Sequence, residues 1–365
     1  MSASAHFHDL KVQGVRVEAG SSVVISLMVP AALKNAFAFI PGQFVTLKAR
    51  IDGHEVRRSY SICSTPRHYM ASGEIDIGVR LVEGGVFSTW ANQSLQAGDV
   101  LSVMPPDGRF VSKQSRAIHR VGFAAGSGIT PVLSIMRHTL ETQEDSHFSL
   151  VYGNQTMGTV MFNEILQDLK DQYPERVTLI HVLSRQAQDV ALLEGRIDEA
   201  KVRRMLDTLL PAPSMDEVFV CGPEGMIEAT CKALLDAGVP SDRVHAERFA
   251  SSHAGAAPAL KAQSVNHQRL QTGPIELTLV MDGKQHSLRM SADEPILDVA
   301  LAAGLDLPYS CRGGVCCTCR AKVMEGSVAM DKNFTLEKWE TDQGFVLSCQ
   351  SKPTSSRVTL SFDER

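Results

Sequence analysis

Residues 308–320 read PYSCRGGVCCTCR and set Cys311, Cys316 and Cys319 in a C-x4-C-x2-C pattern. A fourth cysteine, Cys349, follows in VLSCQ at 346–350, behind an apolar run. Four thiolates at this spacing are the ligand set of a [2Fe-2S] cluster. Zinc knuckles instead pair two C-x2-C turns across a longer gap. Gly313 and Gly314 let the loop fold tightly and bring N–H groups toward sulfur, while Ser310 and Thr318 leave room. Cys317 falls inside the x2 gap and is read as a thiol that is not a ligand. The surroundings predict a small α+β domain over 274–365. IELTLVM and QHSLRM flank Asp282-Gly283, a hairpin signature; ILDVALAAG is a short helix; FVLSCQ and RVTLSF supply later strands. A centre of this kind passes single electrons, so the rest of the chain must explain their source.

Immediately upstream, residues 251–273 carry much Ala and Ser and few large apolar residues, which predicts a linker. Before it, residues 113–250 alternate apolar runs (HRVGFAA, HFSLVYGN, VTLIHVLS, DEVFVCGP) with helical stretches (TPVLSIMRHTLE, TVMFNEILQDLKDQ, RIDEAKVRRMLDTLL, PEGMIEATCKALLDAG). Strands alternating with helices predict βαβ units and a parallel sheet. Ligands of such sheets sit at the carboxyl ends of strands. Gly126-Ser127-Gly128-Ile129-Thr130-Pro131 occupies one such end, as G-x-G-x-x-P rather than the G-x-G-x-x-G of the Rossmann fingerprint. Bare N–H groups and a helix dipole there suit a pyrophosphate. Cys221-Gly222-Pro223 occupies a second end and Ser184-Arg185 a third. A hydroxyl beside a guanidinium suits a ribose 2′-phosphate, which favours NADPH and leaves NADH possible.

Residues 1–112 are read as β-rich, from SSVVISLMV, QFVTLKARI, IDIGVRLV and DVLSVMPP punctuated by Gly and Pro, a pattern of sandwiches or barrels. Within them RSYSICS supplies Arg58, Tyr60 and Ser61: a cation for a flavin phosphate, an aromatic for its ring and a hydroxyl for N5. Gly84-Gly85-Val86-Phe87-Ser88 adds amides and a hydroxyl for a second phosphate contact.

The chain has 365 residues and a net charge of −5, which argues for two to three domains and against nucleic-acid or anionic-membrane partners. No apolar run is long enough for a transmembrane helix, and MSASAHFHDLKVQG lacks the pattern of a secretory signal. Eight cysteines without such a signal suggest reduced thiols or metal ligands, and a cytoplasmic protein. No E-x-x-H pair of the kind found in di-iron bundles lies on a helical stretch, so any oxygen-activating centre belongs to another protein.

The ordered set RSYSICS, GGVFS, AGSGITP, CGPEGM and CRGGVCCTC…C resembles the ferredoxin–NADP reductase superfamily with a C-terminal plant-type ferredoxin domain, over nearly the whole chain. Within it, PGQFVTLKA, RRSYSIC, AAGSGITP, LVYGN, HAERF, DLPYSCRGGVC and VLSCQ are similar to the family of phenylacetyl-CoA epoxidase reductase subunits, and reductases of other oxygenases share these motifs. The resemblance implies a β-barrel flavin domain, an α/β nucleotide domain and a β-grasp ferredoxin domain. It implies FAD contacted by Arg58, Tyr60, Ser61 and Ser88, with Gly85 beside them. It implies an NADPH site lined by Gly126, Ser127, Gly128, Thr130 and Cys221, with Cys221 near the nicotinamide. Tyr60, Ser61, Cys221 and Glu247 are the implied catalytic residues, and Glu247 and Phe249 would lie near the flavin ring after the last strand. Electrons would run from NADPH through FAD and the cluster to a separate oxygenase, with the ferredoxin domain swinging on its linker. By resemblance that oxygenase is the di-iron epoxidase of phenylacetate catabolism. A steroid or Rieske hydroxylase, or a hybrid-cluster protein, is an alternative acceptor. A non-enzymatic ferredoxin-like carrier is the alternative outside enzymes.

Overall fold

Alternation of apolar and polar residues shapes the first domain, in which β1 (His8–Glu18), β2 (Ser22–Met28), β3 (Phe44–Ile51), β4 (His54–Ser61), β5 (Glu74–Arg80) and β6 (Val100–Val103) form one antiparallel sheet. The order is β4-β3-β6-β1-β2-β5. The ends meet: Ile62, just beyond β4, bridges to Ile77 on β5, and the Cys63 N–H donates to the Asp76 carbonyl at 2.9 Å. The sheet is therefore a closed barrel, filled by Leu10, Ile25, Val45, Leu47, Ile77 and Leu101. Helices α1 (Pro66–Ser72) and α2 (Val86–Gln93) flank β5 in sequence. The computed structural model describes residues 6–19, 21–114, 119–249 and 274–364. The expected linker at 251–273 lies outside the described residues.

The second domain alternates strands and helices: β7 (His119–Ala125), α3 (Ile129–Thr142), β8 (His147–Asn154), α4 (Asn163–Gln172), β9 (Val177–Leu183), α5 (Glu199–Thr208), β10 (Glu217–Gly222), α6 (Glu224–Asp236) and β11 (Val244–Arg248). All five strands run parallel in the order β11-β10-β7-β8-β9. Helix α4 starts later than its apolar pattern suggests. Residues 157–159 form a 3-10 turn closed by a Thr156–Thr159 capping box, and Phe162 takes a left-handed φ of 61°.

Barrel and parallel sheet form one compact unit, Phe7–Phe249. The Ser134 hydroxyl of α3 donates to the Ser64 carbonyl at 2.6 Å, and Thr65 donates to Glu141 at 3.0 Å. At the amino-terminal edge of the sheet, Arg120 is fully buried. Its Nε reaches Glu217 at 2.9 Å, and its Nη2 donates to the Ser112 hydroxyl and the Gln114 carbonyl. The segment that leaves the barrel is thus pinned to the base of β7 and β10.

The second unit contains the described residues 274–364. Its main sheet runs β13 (Lys284–Met290), β12 (Ile275–Met281), β18 (Arg357–Ser361), β14 (Arg320–Glu325), β16 (Phe345–Leu347), with β12 and β18 parallel and the other pairs antiparallel. Asp282 and Gly283 both take positive φ, 52° and 72°, as a type I′ hairpin turn requires. Helix α7 (Ile296–Ala302) buries Ile296, Leu297 and Ala300 in the domain's core. Strands β15 (Val328–Met330) and β17 (Ser351–Pro353) pair separately, and α8 (Lys338–Asp342) precedes β16. This is a β-grasp arrangement. The run FVLSCQ is a strand only to Leu347. The Leu347 carbonyl accepts from the Gln350 N–H and the Ser351 hydroxyl, so the chain turns there and Cys349 lies in the turn. Among the described residues no helix is long and apolar enough to cross a membrane.

Candidate functional site

Strand β4 delivers Arg58, Tyr60 and Ser61, the first part of RSYSICS. Arg58 and Tyr60 share one face and Ser61 takes the other. Arg58 is exposed, while the Tyr60 ring packs 5.4 Å from Phe87 of α2. Burial pushes the Tyr60 phenol up, opposed by the charge of Arg58. The Gly84–Ser88 turn is self-closed. The Ser88 hydroxyl accepts from the Val82 N–H at 3.1 Å and donates to the Gly85 carbonyl at 3.1 Å, and the Gly85 N–H donates to the Val82 carbonyl. Ser88 and Gly85 therefore build the loop, and the first-turn amides of α2 are the groups left for an anion.

The parallel sheet changes winding direction between β7 and β10, the place where open α/β sheets hold ligands. Both Gly-containing motifs end there. Gly128 sits so close to β10 that an added Cβ would lie 2.2 Å from the Cys221 carbonyl oxygen, which explains the glycine. The Thr130 hydroxyl donates to the Ser127 carbonyl at 3.0 Å, so Thr130 shapes the turn from within. Ser127 is half-buried at its tip. Gly222 and Pro223 lead from β10 into α6, with Pro223 at its N-cap.

Cys221 lies directly opposite Glu247 in the β10–β11 ladder. The Ser61 hydroxyl, from the barrel, donates to Glu247 Oε2 at 3.4 Å. Ser61, Cys221 and Glu247 therefore converge from three strands and two domains. Burial raises the Cys221 thiol well above its ordinary range, with the charge of Glu247 adding to the rise. Protein packed around Glu247 pushes its carboxyl up to about 8 against the Ser61 hydrogen bond. Glu247 lies within β11 rather than after it, and Phe249, 40% exposed, follows the strand.

Ser184 and Arg185 stand apart from this convergence. They follow β9, two strands from β7 and so about 10 Å across the sheet. Ser184 and Arg185 N–H groups donate to the Asn154 and Gln155 carbonyls, which leaves the Arg185 side chain exposed. That separation suits the far end of an extended dinucleotide.

Two residues escaped the motif reading. Arg80 ends β5 with its guanidinium against the nucleotide turn: a Cβ on Gly126 would lie 2.4 Å from Arg80 Nη1. Arg80 also lines a cleft of about 500 Å³ with Ser21, Gly84, Thr89, Gln155 and Thr159. The signal was a lone cation closing the apolar strand IDIGVR. Tyr152 is buried, and its hydroxyl donates to the Gly126 carbonyl at 2.9 Å.

In the second unit the four ligand cysteines form two hydrogen-bonded pairs, Cys311 with Cys316 and Cys319 with Cys349, and the pairs feel each other's charge. The Gly313 N–H donates to Cys311 Sγ at 3.3 Å and the Cys311 N–H to Cys316 Sγ at 3.5 Å. Hydrogen bonds from Cys316 and then from backbone amides hold Cys311 below the usual thiol range; Cys319 and then Gln350 do the same for Cys349. The donor set fits a [2Fe-2S] cluster. Gly314 needs its freedom, with φ 80° and a would-be Cβ 3.0 Å from the Lys332 carbonyl. Cys317 takes a left-handed φ of 56°, and its sulfur lies 3.0 Å from the Thr335 hydroxyl in the domain core.

Comparison with known proteins agrees with this division. Residues 12–111 match the oxidoreductase FAD-binding domain family, 123–232 the oxidoreductase NAD-binding domain family, and 279–354 the 2Fe-2S iron-sulfur cluster binding domain family. The chain is 42% identical to a subunit of the 1,2-phenylacetyl-CoA epoxidase of Escherichia coli (strain K12) over 363 residues, 98% of each chain. It is 32% identical to the ferredoxin reductase component of 3-ketosteroid-9-alpha-monooxygenase from Rhodococcus rhodochrous, covering 97% of this chain and 96% of that one. Among solved structures, phthalate dioxygenase reductase shares the fold with a TM-score of 0.57 at 22% identity, over 98% of both chains.

Proposed function

The chain belongs to the ferredoxin–NADP reductase superfamily, in the group with a C-terminal [2Fe-2S] domain, and from that premise we propose how its residues divide the work and which oxygenase it serves. The protein is an oxidoreductase, the reductase component of an oxygenase system that uses FAD, a [2Fe-2S] cluster and a pyridine nucleotide. The proposed domains are 1–112 for flavin, 113–250 for nucleotide and 274–365 for the cluster. When bound, FAD accepts a hydride from the nucleotide and gives electrons singly to the cluster.

Arg58 supplies charge to a flavin phosphate, Tyr60 packs on the ring and Ser61 presents its hydroxyl to the ring edge. Gly85 and Ser88 hold the loop whose amides face the pyrophosphate. Gly126, Ser127, Gly128 and Thr130 shape the nucleotide turn, with Arg80 as its cation. Gly222 and Pro223 keep the end of β10 open above Cys221. Glu247 holds a proton beside Ser61, and Phe249 covers the site's outer edge. Cys311, Cys316, Cys319 and Cys349 hold the irons. The convergence of Ser61, Cys221 and Glu247 carries this reading: nucleotide-domain and barrel groups meet at one point, where hydride transfer needs them.

NADPH is the proposed donor, because a hydroxyl at Ser184 beside the exposed guanidinium of Arg185 suits a ribose 2′-phosphate. The proposed acceptor is a di-iron epoxidase acting on phenylacetyl-CoA, supported by the 42% identity along the full length. None of the eight cysteines is in a disulfide, which suits a reducing compartment, and the cytoplasm is the proposed location. The test is anaerobic stopped-flow mixing with NADPH and with NADH, followed by coupling to the oxygenase subunits of the epoxidase. Flavin bleaching, then loss of cluster absorbance, with NADPH preferred at least tenfold, is expected. Equal rates with NADH would remove the role of Arg185. Absence of epoxide beside turnover with a steroid monooxygenase would reassign the acceptor.

A further inference from the structure

Cys319 and Cys349 stand just outside a very short ladder. Strands β14 and β16 pair at only three positions, Arg320↔Leu347, Ala321↔Val346 and Lys322↔Phe345. Cys319 directly precedes Arg320, and Cys349 follows Leu347 by two residues. The Ser348 N–H and hydroxyl both donate to the Cys319 carbonyl at 3.0 Å, which extends the register by one step. A one-residue slip of so short a ladder would carry one sulfur away from the other, so something else must fix it.

The side chains across this ladder do so. Arg320 Nε lies 3.0 Å from Glu340 Oε1, with the carboxylate fully buried and the guanidinium 14% exposed. The guanidinium lies 3.5 Å from the centroid of the Phe345 ring. The other Glu340 oxygen accepts the Glu337 N–H at 3.0 Å, which ties it to the start of α8. One planar cation therefore joins the strand after Cys319, the helix before β16 and the first residue of β16. Lysine could not reproduce a flat stack and an ion pair together.

We propose that Arg320 and Glu340 are positioning residues for the Cys319–Cys349 half of the cluster: their ion pair, stacked on Phe345, fixes the distance between those two thiolates and cancels the charge of the residue that follows Cys319. The inference rests on the reading of these cysteines as cluster ligands. It gives the two residues separable effects. Removing the carboxylate leaves a cation beside an anionic centre and favours the reduced, more negative cluster. Keeping the charges but losing the stack loosens the sulfurs without changing the local charge.

The experiment uses the full-length holoprotein, with the cluster followed by EPR, by spectroelectrochemical titration and by its loss rate to a ferrous chelator. If the parent shows no [2Fe-2S] signal, the cluster reading itself fails. With the signal present, Glu340→Gln raises the reduced-to-oxidised ratio at fixed potential about tenfold, a shift of about 59 mV for one electron. Arg320→Lys keeps the parent potential but loses its cluster at least fivefold faster. Flavin reduction by nucleotide stays at the parent rate in both. Should Glu340→Gln fail to load the cluster, Arg320→Lys decides alone. A parental loss rate in Arg320→Lys, or a parental potential in a loaded Glu340→Gln, overturns the proposal.

Discussion

Ser61, on the barrel, and Glu247, on the last strand of the parallel sheet, lie 3.4 Å apart through hydroxyl and carboxyl. They are separated by 186 positions in sequence, and the fold places them at one point. A carboxyl there is not an ordinary surface acid. The packed protein around it favours the neutral form, and only the serine hydroxyl favours the anion.

Glu247 therefore carries its proton at neutral pH, up to about 8. The flavin-reduction rate of the parent should change through a step near that pH, and Glu247→Gln, which keeps the shape but cannot ionise, should lack it. Its rate should also fall by about 10²-fold. The stability sign is fixed by the same shift. The unfolded chain releases this proton near 4.5 and the folded chain near 8, so stability falls as pH rises between them. Melts of Glu247→Gln should lack that decline. An unchanged pH profile in the variant would assign the step to another group.

Gly128→Ala should weaken nucleotide binding at least tenfold and cost about 1–3 kcal/mol of stability, because backbone must retreat from a Cβ 2.2 Å from the Cys221 carbonyl. Nucleotide titration and urea unfolding measure the two effects. The cluster's visible spectrum, which belongs to the other unit, should be untouched.

Cys316→Ala should abolish the EPR signal of the reduced cluster while flavin reduction continues. Cys317→Ser should keep the signal, since the Cys317 sulfur lies 3.0 Å from the Thr335 hydroxyl in the domain core. Loss of signal in both would mean that the cysteine at 317 has been misplaced.

Glu217 gives an acid-stability prediction of opposite sign to that of Glu247. Burial disfavours its charge, yet His245 at 3.5 Å and hydrogen bonds from Ser112, the Lys113 N–H and Arg120 overcome it and bring the carboxyl down to about 2. The folded state is then stabilised above about 4.5, and that stabilisation is lost as pH falls toward 2. Glu217→Gln strands the buried Arg120 and should cost about 3–5 kcal/mol at pH 7. The variant should lose less than the parent between pH 5 and 3 in chemical denaturation.

Much of this architecture was legible in residue order. Every β–α alternation from His119 onward appears as an apolar run followed by a helical period, and parallel sheets bury such runs on both faces. Asp282-Gly283 announced its hairpin because few other pairs tolerate two positive φ values. The cysteine spacing named its own cluster. What sequence could not supply was the meeting of distant parts. Arg80 reads as the end of a strand, and only the fold lays it on Gly126. Nor does sequence show that the Ser88 hydroxyl, expected at a ligand, also closes its own loop, where the turn leaves Val82 and Gly85 to be bonded. Cys349 was placed behind a strand run that in fact ends two residues earlier, since hydrogen bonds to the Leu347 carbonyl from beyond the cysteine turn the chain.

The barrel closes between β4 and β5 through a single bridge, Ile62↔Ile77, beside the Cys63 bonds to the Asp76 carbonyl, whereas β3 and β4 pair over eight positions. A seam held by so few bonds opens more readily than the ladders around it. The strand that carries Arg58, Tyr60 and Ser61 is one lip of that seam. Its amides should trade hydrogen with water sooner than those in the middle of the barrel. A cofactor lying along β4 would act as a suture, so loss of flavin would fray this edge first and leave the rest of the barrel standing.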